Sequence, residues 1–236
     1  IAAAAGVAMM SAVGTASANS LLFPYFTTEA GNSSIVSVYG GTGMGAAAGS
    51  VHYVYNYGSA CTHYDGLGKL TANDVMQHSI ASVAAGGFGK VVAADTSAPF
   101  YLPVKDYGFL VLSSKVAAGQ ITGDMIVYNP TVGIVTSYAG IDNNILDTTG
   151  ANEGNFNNIN DIKFNLGFYP TSLVTTSWYG VVTGNMNAAI VAGANWGGKA
   201  TLSNTAGGVS GVYDNDENFV SGAMTKSLTC SGMVAP

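Results

Sequence analysis

The run VHYVYNY at residues 51–57 restricts this chain to one kind of local structure. Tyr53, Tyr55 and Tyr57 share one parity, and His52, Val54 and Asn56 the other. Successive side chains of a strand point to opposite faces, so the run reads as a strand with an aromatic face and a mixed one. Comparable short runs rich in Val, Ile, Tyr and Phe recur along the sequence, separated by Gly-rich turns. No long stretch repeats with the 3.6-residue period of a helix. The expected fold is therefore all-β, a β-sandwich or jelly roll.

Further strands are expected at 21–26, 35–39, 79–84, 90–94, 109–113, 125–128 and 134–138. More follow at 162–168, 173–182, 188–192, 200–203, 209–213 and 219–228. Pro24 cannot donate a ladder hydrogen bond, so it marks an edge or a bulge in the first of these. Thr71 followed by Asp74 reads as a cap and an acidic first turn, which predicts one short helix over 71–78. The Asn-rich stretch 142–160 reads as a long surface loop. At 236 residues the chain suits one large β domain over 19–236, because sandwiches and barrels often run to roughly 200–250 residues as a single unit.

Composition limits the partners. Charged residues make up 8% of the chain, against roughly 25% in ordinary globular proteins. The seven basic residues are all Lys, and the net charge is −6. Such a chain supplies no basic stripe for nucleic acid or for an anionic membrane surface. Its many Tyr, Phe, Val and Ile argue against disorder. A surface of Asn, Ser, Thr and Gly repels its own copies weakly, so packing of like molecules costs little electrostatically.

The first 18 residues are apolar and end in Ala16-Ser17-Ala18. An apolar run before a small-x-small site is the pattern of a secretory signal, and the run is too short and too Gly-interrupted for a membrane span of roughly 20 residues. The same segment also fits a donor strand, with Ile1, Val7, Met9 and Val13 on one face, or an Ala-rich helix. Export agrees with two cysteines, Cys61 and Cys230. An even count in an exported chain predicts one disulfide; the rival is two buried thiols.

Candidate chemistry is thin. Cys61, His63 and Asp65 are ligand-type residues, but a zinc site wants four at standard spacings. His52 reads as a satisfied polar residue on a strand face, and His78 falls at the end of the expected helix. Asp214, Asp216 and Glu217 crowd one stretch, as calcium ligands or as a solvated acidic turn; Asp142 and Asp147 with their asparagines are a weaker version. Trp178, Tyr179 and Trp196 could stack against a glycan or fill a core. No G-x-S-x-G elbow and no Cys-x-x-Cys-His is present. An outer-membrane barrel also fits the β pattern and the export signal, but the Cys pair, several stretches too short for spanning strands of roughly 9–11 residues, and the C-terminal CSGMVAP argue against it.

The segment NSLLFPYFTT at 19–28, followed by Ser34-Ile35-Val36-Ser37-Val38, resembles the mature start of a family of uncharacterised exported bacterial proteins; Thr71-Ala72-Asn73-Asp74 is similar too. The resemblance implies an exported bacterial β protein and no activity. The expectation is a non-enzymatic structural protein without cofactors. It would be a self-assembling extracellular or cell-surface subunit that polymerises by adding its N-terminal strand to a neighbour. The alternative is a secreted lectin-like module.

Overall fold

The computed structural model describes residues 18–44, 50–58, 62–82, 88–93, 100–103, 107–116, 120–131 and 133–143. Beyond these it describes 178–181, 199–203, 205–206, 209–213, 219–221, 225–229 and 231–234. Among these residues the secondary structure is all strand. The first eleven are β1 (Ser20–Thr27), β2 (Ser33–Gly40), β3 (Val51–Tyr57), β4 (Thr62–Gly68), β5 (Val75–Ser82), β6 (Phe88–Ala93), β7 (Phe100–Pro103), β8 (Tyr107–Ser114), β9 (Ile121–Asn129), β10 (Ile134–Ala139) and β11 (Ile141–Asn143). The later ones are β12 (Trp178–Val181), β13 (Lys199–Ser203), β14 (Thr205–Ala206), β15 (Val209–Tyr213), β16 (Phe219–Ser221), β17 (Thr225–Thr229) and β18 (Ser231–Val234).

Two antiparallel sheets form the body, ordered β11-β1-β8-β3-β4 and β10-β9-β2-β5-β6-β7. Smaller sheets run β12-β18-β17-β13 and β14-β15-β16. Consecutive β1 and β2 lie in different large sheets, so the chain turns a corner at Glu29–Asn32, closed by Asn32 N–H donating to Glu29 O. The core lies between the large sheets. Leu21, Phe23, Phe26, Val51, Tyr53, Tyr55, Leu110 and Leu112 face Val36, Val38, Met76, Ile80, Ile121 and Met125. β2 shows the alternation that a half-buried strand requires: Ser34, Val36 and Val38 are buried, while Tyr39 is exposed.

The aromatic face of β3 lies in this core as expected. Its other face is buried as well: His52, Val54 and Asn56, with Leu22, Phe109 and Val111 on neighbouring strands. The five-stranded sheet is thus covered on both sides. Tyr107, which shares the parity of Phe109, meets Tyr179 of β12 edge-on with ring centres 5.5 Å apart.

Pro24 sits in a bulge. The β1–β8 register runs regularly to Phe23↔Leu110, then shifts before Phe26↔Gly108. A bulge leaves backbone groups outside the ladder. Here Tyr138 of β10 serves them: its hydroxyl accepts from Tyr25 N–H at 3.2 Å and donates to Tyr25 O. Opposite the bulge, a Cβ on Gly108 would stand 1.9 Å from Asn56 O and 2.9 Å from Phe26 Cε1. Gly108→Ala is therefore expected to destabilise the fold by about 3 kcal/mol, as overpacking against backbone does. An unchanged urea midpoint would contradict that close approach.

The expected helix over 71–78 is a turn and a strand. Asn73 has φ 59°, a left-handed conformation that ends any helix. The Asp74 carboxylate accepts from Thr71 Oγ1 at 2.9 Å and from Val75 N–H at 2.8 Å. The residues read as a helix cap are therefore a closed local turn. From Val75 onward the pattern has period 2: Met76, His78 and Ile80 are buried, and Val75 and Gln77 exposed. The stretch read as a loop from 142 starts inside β11, where Asp142 pairs with Leu21 and Asn143 with Ser20. Residues 144–160 lie outside the described residues, as do the strands expected at 162–168 and 188–192.

Candidate functional site

The outer face of the six-stranded sheet is the feature that stands out. Its rows follow from the register: Val135, Tyr128 and Ser33; Ser137, Ile126, Ile35 and Ser79; Ala139, Asp124, Ser37 and Gln77; Thr122, Tyr39 and Val75. Four large apolar side chains are exposed here, namely Val135 at 69%, Tyr39, Val75 and Ile126. Hydroxyl and amide groups fill the spaces, and Gln77 Nε2 donates to Ser37 Oγ. Asp124 is the one carboxylate in these rows, and partial burial raises its pKa. Single exposed hydrophobes are ordinary, but several on one flat face mark an interaction surface.

Among the described residues strand β10 bounds this face. Its sequence IVTSYA has no charge, proline or glycine. Gly140 N–H donates to Gly123 O, which fixes the phase of the β9–β10 ladder. Residues of even number turn their backbone groups toward β9, and Val135, Ser137 and Ala139 turn theirs outward. The strand is held firmly, because Tyr138 reaches across the core to Tyr25 and lies 6.5 Å from Phe23, ring centre to ring centre.

His52 lies on a strand as expected, whereas His78, expected at the end of a helix, lies on strand β5. His78 is buried in the core, with Nδ1 2.8 Å from the Tyr55 hydroxyl. Burial lowers its pKa to about 4, and burial likewise pushes the Tyr55 hydroxyl well above its ordinary range. The neutral imidazole and the Tyr55 hydroxyl share this hydrogen bond. The pair joins β3 of one sheet to β5 of the other. His52 lies buried on the second face of β3, opposite Ser113. On that face Asn56 and Ser113 are buried, and among the described residues the Asn56 amide and Ser113 Oγ find no hydrogen-bond partner. His63 sits on β4, half-buried, opposite Asn56.

Several expected site residues lie outside the described residues: Cys61 and Cys230, Ile1, Val7, Met9 and Val13, Asp147, Asp214, Asp216 and Glu217, and Trp196. Among the described residues no three His, Cys, Asp or Glu side chains gather as metal ligands do. Tyr179, named as part of a sugar platform, is half-buried, its ring centre 4.7 Å from that of Tyr25 and 5.5 Å from that of Tyr107. Its hydroxyl donates to Ser231 Oγ at 2.8 Å. No described helix is long and apolar enough to cross a membrane. Sequence reasoning found β10 as a strand but not as an edge, since edge position belongs to the topology. The missing charges of IVTSYA were the available signal. No protein-family model, no curated protein and no solved structure matches this chain.

Proposed function

We propose that this protein is an exported structural subunit that assembles with copies of itself into an extracellular fibre or surface layer. The observation that carries this reading is the outer face of the six-stranded sheet, where Tyr39, Val75, Ile126 and Val135 are exposed beside a single carboxylate. Covering such a face removes apolar area from water at about 25 cal/mol per Å² and brings few like charges together. The low charge of the whole chain supports the same reading. In this account the apolar N-terminal segment acts as the head-to-tail connector, adding a strand to a neighbouring subunit. A head-to-tail contact that does not close builds a filament.

Sedimentation velocity over a hundredfold concentration range tests this, run beside a glycan array. The expected result is a sedimentation coefficient that rises with concentration, with no glycan retained. Removing residues 1–13 is expected to shorten the assemblies to small oligomers. A monodisperse monomer that binds glycans would favour the lectin-like alternative and end the assembly reading.

A further inference from the structure

Edges of sheets offer unpaired N–H and C=O groups, and proteins blunt them with charge, proline, glycine or shortness. The other described edges are blunted in these ways. β4 carries Asp65, Gly66 and Gly68, and β7 ends at Pro103. β11 and β16 have three residues each, and β14 has two. β12 contains Gly180, and β13 begins at Lys199. β10 has none of these devices over its six residues.

Resting on the assembly reading, we propose that β10 pairs with β10 of a second copy, antiparallel, about a two-fold axis at Ser137. The phase of the ladder selects this register. Val135, Ser137 and Ala139 present their backbone groups outward, and centring on Ser137 places all three in hydrogen-bonded pairs: Val135 against Ala139 of the copy, and Ser137 against its own copy. Centring on Thr136 instead would set Ala139 against Gly133, which lies in the β9–β10 turn at φ 71°.

Size and charge complementarity name the second copy as the occupant. On the outer side the exposed Val135 meets the small Ala139, and two Ser137 hydroxyls meet each other. On the inner side Thr136 meets Tyr138, whose ring is already fixed by its bonds to Tyr25. Among the described residues the carboxylate paired with this strand, Asp124, is opposite Ala139 on β9, so two strands of β10 separate it from the facing sheet's β9. The contact joins two six-stranded sheets into one continuous sheet. A two-fold contact closes on itself, so it forms the dimeric unit, and growth beyond it falls to a head-to-tail contact.

Ser137→Cys tests the register. Hydrogen-bonded partners stand about 5.5 Å apart at Cα, inside the range a disulfide spans. Thr136→Cys is the control, because its copy would lie on the diagonal at about 7–8 Å. Under mild oxidation Ser137→Cys is expected to give a covalent dimer above the level of the unmodified chain, and Thr136→Cys not. Ser137→Lys sets two ammonium groups face to face and is expected to weaken dimerisation at least about tenfold, with circular dichroism unchanged because the site is exposed. Preferential crosslinking of Thr136→Cys would overturn the register. Assemblies that persist in Ser137→Lys, with no Ser137→Cys crosslink, would overturn the β10 contact and leave the assembly reading standing. A chain that stays monomeric at every concentration would overturn both.

Discussion

Lowering the pH from 7 to 4 is expected to remove about 3 kcal/mol of stability through one side chain, His78. The imidazole is buried between the sheets, shares a hydrogen bond with the Tyr55 hydroxyl, and has its pKa lowered to about 4 by burial. In the unfolded chain the same group titrates near 6.5. As the pH falls below 6.5, the unfolded state therefore takes up a proton that the folded state refuses. Stability from this group is complete above 6.5, declines between 6.5 and 4, and levels below. His78→Gln keeps a hydrogen-bonding side chain beside Tyr55 and does not titrate. Urea midpoints at several pH values should show a flatter decline in His78→Gln than in the wild type, the carboxylates contributing alike to both. Equal slopes would mean that His78 is not held neutral in the core.

Phe23→Ala is expected to cost about 3–5 kcal/mol, as the loss of a fully buried phenyl ring does. Phe23 is 0% exposed and stands at the start of the β1 bulge. Its ring occupies a slot left by two glycines. A Cβ on Gly140 would lie 3.0 Å from Phe23 Cζ, and one on Gly123 3.1 Å from the same atom. The slot makes a coupling test available. Gly140→Ala alone should destabilise by crowding the ring, whereas in the Phe23→Ala background the added methyl enters an emptied space. The double variant should therefore cost at least about 1 kcal/mol less than the sum of the single ones. Strict additivity would show that ring and glycine do not share the slot.

What the sequence revealed follows from how local each signal is. The two faces of β3 were legible because alternation is a property of neighbouring residues. Pro24 announced a break in pairing, which proved to be a bulge just past the point where β11 stops pairing with β1. The identity of its rescuer, Tyr138, was hidden because that contact spans 113 residues. Thr71 and Asp74 misled for a physical reason: a cap and a tight turn use the same side-chain-to-backbone bond, and only the left-handed Asn73 decides between them. The burial of His52 and Asn56 was equally hidden, since an antiparallel strand with a polar second face normally shows that face to water. The edge position of β10 came from sheet order, which no single segment encodes.

On the proposed function, this chain joins with copies of itself through β-structure. Electron microscopy of the full-length protein, taken from dilute to concentrated solution, tests it most directly. Ordered fibres or sheets are expected to appear with concentration, and to become scarce in Ser137→Lys and in the chain lacking residues 1–13. Single, unassociated particles at every concentration would contradict it.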